Sequence, residues 1–457
     1  MFLWANGPVF IASHHALNKS LAPKVSYKGY SRGSLHSAQV ITMPTTIFSP
    51  FTLTSGGVIK NRLVKAAMEE NLATSAQLPG KELLQLYKTW AEGGVGLIIT
   101  GNVMVDHLAM TGPGGLALEQ DTDITSYRAL ACAAKGNNTK VWMQINHPGR
   151  QVFKKMGGKV LSASNIPLDM GKHSALFARP KALERPEIED IIERFVSTAR
   201  QAEKAGFDGV QIHAAHGYLL AQFLSPLTNK REDEWGGSLQ NRARLLLEIS
   251  KAIRGACAPG FAVSVKLNSA DFQRGGFDVN DAQQVVQLLA GLGVDLVELS
   301  GGSYESPAMQ GRAGEREQRT LAREAYFLEF ARVIARNTSM AIMTTGGIRK
   351  RAVAEYVVES GIELVGLASA LAFTPQLPNQ WMSRTMAEGK ISKVRWRNKT
   401  LSGLANMALV KRQLRRIGEH KLPKANASPL LTLLLDQLRS ARLTKRYRRQ
   451  YIGQLDQ

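Results

Sequence analysis

The segment IHAAHGYLLAQFLSP, residues 212–226, crowds His213, His216 and Tyr218 into a few positions. Two imidazoles near neutral pH can hold and polarise a carbonyl oxygen, and a nearby phenol can deliver a proton as a general acid. A metal site would need a third ligand, for which the sequence offers Asp208 and His147; the plainest alternative is a pair of structural histidines under a loop. Lys266 stands alone in the apolar run AVSVKLN, and a buried lysine needs an anionic partner or loses its charge. Gln144, in VWMQINH, can present a donor and an acceptor together. Two segments rich in small residues, TTGGIRKR and VGLASAL, contain Gly346, Gly347, Ala368 and Ser369. Such backbone lets N–H groups approach a phosphate closely, although glycines also serve simply to close tight turns.

Eight β-branched runs alternate with helical patterns and supply the scaffold for these groups. The strands are expected at Arg62–Met68, Val95–Val105, Lys140–His147, Asp208–His213, Phe261–Asn268, Leu296–Ser300, Ala341–Thr345 and Leu364–Ala368. Helices fit the gaps at Lys81–Glu92, Ile124–Lys135, Pro186–Ala205, Ser238–Ala256, Val279–Leu292, Ala322–Arg336 and Lys350–Glu359. Ser238 has the chemistry of an N-cap, and Gly206, Gly293 and Gly361 that of helix stops. The nearly continuous apolar strands imply a parallel sheet covered on both faces. Eight βα units predict a closed α/β (β/α)₈ TIM barrel. A doubly wound open sheet binding a dinucleotide would carry a G-x-G-x-x-G turn after its first strand, and none is there. In a barrel the site forms where strands end. There the chain places Met68 and Glu69, Gly101 and Asn102, Gln144, the two histidines, Lys266, Asn268, Ser300 and the two glycine-containing segments. A reduced flavin, anionic near N1 and O2, suits Lys266, and its pyrimidine edge suits Gln144.

The formal charge of +21 is unevenly spread. Residues 381–457 hold 18 Lys/Arg against 4 Asp/Glu, residues 1–43 add four cations and no carboxylate, and residues 44–380 carry only +3. Three regions follow: a leader over 1–43, expected to be disordered or misassigned with Met43 as the true start; the barrel over 44–380; and a basic helical extension over 381–457. The extension shows helical patterns at Ala405–Ile417 and Leu430–Leu438, separated by KLPKANAS. It reads as a helical appendage on the barrel or a partner subunit, with binding to an acidic membrane surface or to nucleic acid through its basic residues as the alternative. The near-neutral body argues against nucleic acid as the main partner. Two distant cysteines, Cys132 and Cys257, exclude a cysteine-rich metal or iron–sulfur site and suit a reducing, cytoplasmic setting. No run is long enough to span a bilayer.

The stretch HAAHGYLLAQFLSPLTNKREDEWGGSLQNRARLLLEI closely resembles the signature of the old yellow enzyme family of FMN-dependent NAD(P)H oxidoreductases. The likeness runs over about residues 45–380 through NRLVKAAM, GVGLIITGNVMV, MQINHPGR, VKLNSADF, GGIR and VGLASAL, in the family's order. The resemblance implies FMN as cofactor and NADH or NADPH as electron donor. Ala66, Ala67, Met68 and Asn102 then lie at the flavin, Gln144 bonds its pyrimidine edge, and Lys266 takes the place of the family's usual arginine beside N1. His213 and His216 bind the oxygen of a small-molecule acceptor, Tyr218 donates the proton, and Gly346, Gly347, Ala368 and Ser369 fall in the phosphate segments. No resident metal is implied.

This chain departs from the family pattern at three positions. Glu69 replaces a Thr or Cys that tunes the flavin, Ser369 replaces a phosphate-binding arginine, and Lys266 replaces a planar fork by a point charge. The expected activity is ping-pong hydride transfer from NAD(P)H to an electron-poor acceptor such as an α,β-unsaturated carbonyl. A flavin-free phosphate-binding lyase or isomerase barrel is the alternative, and the oligomeric state is left open.

Overall fold

The computed structural model describes residues 45–307 and 324–453. The expected leader over 1–43 lies outside them, as do the first two residues of the helix expected from Ala322. Eight strands form the centre: β1 Leu63–Lys65, β2 Leu97–Ile99, β3 Lys140–Asn146, β4 Gly209–Ala214, β5 Ala262–Asn268, β6 Leu296–Ser300, β7 Ile342–Thr344 and β8 Leu364–Leu367. Each pairs in parallel with the next, and β8 pairs with β1 (Val365 beside Leu63), so the ring closes as a (β/α)₈ barrel. Closure removes every unpaired strand edge, which is why such apolar strands can sit together without a solvated face.

Helices α1 Lys81–Glu92, α2 Thr125–Ala134, α3 Arg185–Lys204, the short α4 Leu219–Leu224, α5 Leu239–Ala256, α6 Val279–Ala290, α7 Leu328–Ala335 and α8 Arg351–Glu359 surround the strands. Their apolar residues recur at three- and four-residue spacing; in α1 these are Leu83, Leu86, Tyr87 and Trp90, all buried. Ser238 caps α5 by accepting from Asn241 N at 3.3 Å, and Asp278 caps α6. The hairpin Phe51–Thr52/Val58–Ile59 closes the barrel's floor, where Leu53 and Ile59 pack on Val64, Ile99, Trp142 and Leu296.

The strand expected at Arg62–Met68 pairs only over Leu63–Lys65, and two further expected elements are divided or shortened. The run Val95–Val105 is two strands, β2 and a separate Val103–Met104, because the backbone at Gly101 leaves the sheet to donate to Glu70 Oε1 (3.2 Å) and Tyr87 Oη (3.0 Å). A Cβ on Gly101 would lie 2.0 Å from Glu70 Oε2, so only glycine permits that approach. Helix α7 begins at Leu328, since Ala325 takes a left-handed φ of 54° and Tyr326 N turns back to Gly346 O.

After α9 Ser369–Phe373 and α10 Leu377–Met382, the extension forms α11 Lys399–Gly418 and α12 Pro429–Tyr447, both longer than their apolar cores suggested. Helix α11 lies on α1, with Gly418 pressed against Glu82 O and Ala405, Ala408, Leu409, Leu414 and Ile417 buried. Helix α12 packs against α11 through Arg415–Asp436 (3.0 Å) and Arg412–Thr432 (3.1 Å). Its end reaches the loops after β2 and β3, where Tyr447 Oη donates to His107 O and Thr444 is buried at Met156. The appendage is therefore packed on the barrel of the same chain.

His147, just past β3, is buried; its Nδ1 accepts from Gly149 N and its Nε2 finds no partner among the described residues. Burial lowers its pKa from 6.5 to about 4. Between those values the unfolded chain binds a proton that the folded chain refuses, so stability rises with pH across this window and falls on acidification. The loss from this residue approaches about 3 kcal/mol at pH 4. Urea unfolding at several pH values should show that slope, and His147→Gln should flatten it.

Candidate functional site

Register determines which groups meet inside the barrel. Gln211 lies beside Gln144 across β4 and β3, His213 beside Lys266 across β4 and β5, and Lys266 beside Glu298 across β5 and β6. Because alternate strand residues share a face, Gln211 and His213 point the same way, one layer apart. Lys266 Nζ donates to Glu298 Oε1 at 2.8 Å, with both side chains almost wholly buried. Glu298 Oε2 accepts from Gln211 Nε2 at 2.9 Å, and Gln211 Oε1 accepts from Gln144 Nε2 at 2.7 Å. The chain Lys266–Glu298–Gln211–Gln144 fixes which way the Gln144 amide faces. Its oxygen has no partner among the described residues.

Above this layer the loops assemble the second group. His213 Nδ1 accepts from Ala215 N at 3.2 Å. Burial, helped by His216 and Lys266, holds its pKa well below 6.5, so the imidazole is neutral with its proton on Nε2. His216 sits at φ 60°, costly for a non-glycine residue, and is held there by its N–H bond to Asn268 Oδ1 (3.0 Å). Its Nε2 lies 2.7 Å from Ser300 Oγ, and burial and Lys266 keep it neutral as well. When Ser300 donates to that nitrogen, the His216 proton is on Nδ1 and is available to a ligand. The rings of His213 and His216 are 5.0 Å apart, and those of His213 and Tyr218 are 4.9 Å apart.

The Tyr218 hydroxyl lies 3.3 Å from that of Tyr304 and 3.5 Å from Glu69 Oε1. Burial, Tyr304 and Glu69 raise its pKa well above 10, so the phenol keeps its proton. The same carboxylate oxygen of Glu69 accepts from Asn102 Nδ2 at 3.1 Å. Ala66, Ala67 and Met68 follow β1 at the same end of the barrel, with Ala66 N bonded to Leu367 O.

At the far side of the mouth, Gly346 and Gly347 have φ of 122° and 73°. A Cβ on either would strike Tyr326, 2.9 Å from its N and 2.5 Å from its hydroxyl respectively, so Tyr326 makes the close approach these glycines permit. Arg349 is held by Glu324 and Glu388, and Glu324 Oε2 also takes the amides of Arg349 and Lys350. The amides of Gly346, Gly347 and Ser369 donate to no acceptor among the described residues. Ala368 and Ser369 start α9, past β8.

The structure thus brings His213, His216, Tyr218, Lys266, Gln144 and Asn102 to one end of the barrel. It leaves Asp208 at the opposite end, bonded to Lys135 and Lys140, where it cannot join the histidines as a metal ligand. One grouping with metal-ligand spacing exists among the described residues, Asp106, His107 and Glu119. Lys159 and Arg194 already neutralise its carboxylates.

Several partners were missed from sequence. Tyr304 lies in a loop more than 80 residues from Tyr218. Glu298 and Gln211 read as ordinary strand residues, although a carboxylate in the apolar run LVELS was a signal. Lys65 was missed too: wholly buried, it pairs with Glu70 (3.1 Å) and lies 4.4 Å from the Trp90 ring centroid. Burial lowers its pKa against the opposing pull of Glu70.

A closed parallel barrel with a buried cation, a fixed amide and two neutral imidazoles at its C-terminal end is the architecture of a flavin oxidoreductase. The profile of the NADH:flavin oxidoreductase / NADH oxidase family matches residues 46–387, and the chain belongs to that family. It is 37% identical over 355 residues to the NADH-dependent flavin oxidoreductase iliE of Hypocrea jecorina, covering 73% of this chain and 88% of that one. It is 36% identical over 352 residues to the protein of the same name from Neonectria sp., covering 72% of this chain but only 46% of that relative's length. The old yellow enzyme homologue from Zymomonas mobilis shares the fold at a TM-score of 0.64 and 22% identity, covering 76% of this chain and 95% of that one.

Glu298→Gln would leave Lys266 charged and unpaired in the barrel, a loss of about 3–5 kcal/mol. The double change Glu298→Gln with Lys266→Met removes both charges and should recover most of it, as read by denaturant unfolding.

Proposed function

We propose that this chain uses FMN, held at the C-terminal end of its barrel, to move hydride by a ping-pong route from NADH or NADPH to an electron-poor acceptor such as an α,β-unsaturated carbonyl. The reading rests chiefly on Gln144, Lys266, His213, His216 and Tyr218 meeting around one mouth. The site suits the cofactor: the unpartnered Gln144 oxygen can accept from the flavin's pyrimidine N–H, and Lys266 supplies positive charge toward its N1 side. Ala66, Ala67, Met68 and Asn102 form the neighbouring wall, and the Gly346, Gly347, Ala368 and Ser369 segments offer backbone amides to the phosphate. Bound there, FMN supplies the hydride carrier that nicotinamide reduces and the acceptor oxidises.

The protein's own groups then do three things. His213 through Nε2–H and His216 through Nδ1–H grip the acceptor oxygen, drawing electrons toward it; two such donors contribute about 3–6 kcal/mol of barrier reduction. Being neutral, they do so without paying to bury a second and third cation beside Lys266. Tyr218, still protonated at neutral pH, places a proton on the carbon next to the carbonyl as hydride arrives on the far carbon. Tyr304 and Glu69 orient that hydroxyl. The carboxylate of Glu69 in a position usually neutral in the family gives this chain an acceptor preference of its own. A flavin-free lyase or isomerase reading has no use for Gln144 and Lys266 so placed.

Purified protein should show flavin absorbance that bleaches anaerobically with a nicotinamide donor; a colourless protein that rejects added FMN would defeat the reading. In stopped flow, Tyr218→Phe should slow the acceptor half-reaction roughly a hundredfold or more while flavin reduction is little changed. Equal loss in both halves would remove Tyr218 from proton transfer. Ser300→Ala should raise acceptor KM more than it lowers kcat, by freeing the His216 tautomer.

A further inference from the structure

Helix α12 has one face on the barrel and α11, and another that none of the described residues covers. Its buried side carries Thr432, Leu433, Thr444 and Tyr447. The opposite side exposes Leu430, Leu431, Leu434, Leu435 and Leu438, each at least half accessible, and Leu422 in the preceding loop is 83% accessible. At 100° per residue, Leu431, Leu434, Leu435 and Leu438 fall on the same stripe as Arg442 and Lys445 two turns on. The stripe is therefore leucine for its first half and cationic for its second. Arg446 and Arg449 flank it, and Lys424 lies just before it, all exposed. None of these cations has a carboxylate within 4 Å among the described residues. The acidic residue of α12, Asp436, is turned away and bound to Arg415.

A contiguous exposed apolar patch marks an interaction surface, and its charge selects among occupants. Nucleic acid would pair with the cations and leave the leucines in water. A second copy of this chain would cover the leucines but bring two tails of net +14 together, which like-charge repulsion opposes. An anionic bilayer satisfies both halves, taking leucines into the acyl boundary and cations onto the headgroups. No described helix is long and apolar enough to cross a membrane, so contact would be from the surface.

We propose that the exposed face of α12 docks the barrel peripherally on anionic membranes. The inference stands apart from the catalytic reading, since no residue of the face belongs to the site.

The test uses the full chain and vesicles of phosphatidylcholine alone or with one third phosphatidylserine. Deletion of the extension is the wrong variant, because α11 covers α1. The protein should sediment with the anionic vesicles, not the neutral ones, and less at high salt. Leu431→Ser, Leu435→Ser and Leu438→Ser together should weaken partition on the order of a hundredfold, and Arg442→Gln with Lys445→Gln roughly tenfold; circular dichroism and flavin content should be unchanged, since these side chains touch solvent. Absence of binding to anionic vesicles, or binding that ignores the leucine changes, would overturn the proposal. So would a dimer in sedimentation equilibrium that the leucine changes dissociate, which would name a second copy as the occupant.

Discussion

Two charges sit where a barrel can least tolerate them, and much of the mouth is arranged around that. Lys266 and Glu298 are nearly inaccessible to water, and an unpaired charge there would cost several kcal/mol. Parallel register places them side by side on adjacent strands, so each becomes the other's solvent. The remaining carboxylate oxygen of Glu298 still needs a donor, and Gln211 provides it; Gln211 in turn orients Gln144. The same lysine helps keep His213 and His216 unprotonated. One buried pair thereby sets an amide orientation on one side of the mouth and the charge state of two imidazoles on the other.

The resulting site is largely a set of neutral donors held in a low-dielectric pocket. Burial pushes the histidines down and the tyrosines up, so that all of them carry usable protons without carrying charge. This is the favourable arrangement for polarising an oxygen, since preorganised dipoles need no reorganisation when negative charge develops on it. Its cost appears in the backbone, where His216 is held in a left-handed conformation by Asn268. Glu69 is the exception: an acid at the rim, one of whose oxygens is shared between Asn102 and the Tyr218 hydroxyl.

Legibility followed the range of the forces involved. Leu296–Ser300 and Lys81–Glu92 were readable to the residue, because each is a complete period-bearing run between turn signals. Val95–Val105 has the unbroken apolar character of one strand; the break comes from Glu70 and Tyr87, which reach Gly101 from elsewhere. The start of α7 has a similar cause, a turn pinned by Gly346 rather than by a local cap. In the extension, leucine spacing located both helices, but their ends depended on what the cationic turns packed against.

The amino-acid order by itself determined the number of βα units, hence barrel closure, and the placement of His213, His216, Tyr218, Gln144 and Lys266 on or just after the strands toward its C-terminal end. Periodicity and strand-end position are local properties, written in consecutive residues. Only the tertiary structure decided that Glu298 is the partner of Lys266, that Tyr304 and Glu69 flank Tyr218, and that Ser300 meets His216. Those pairs depend on strand register and on loops closing over one another. Side chains 30 to 150 positions apart come within 3 to 4 Å only after the ring has formed. The same holds for α12: its leucines announced a helix, but which of them would remain in water was settled by where the barrel left room for it to pack.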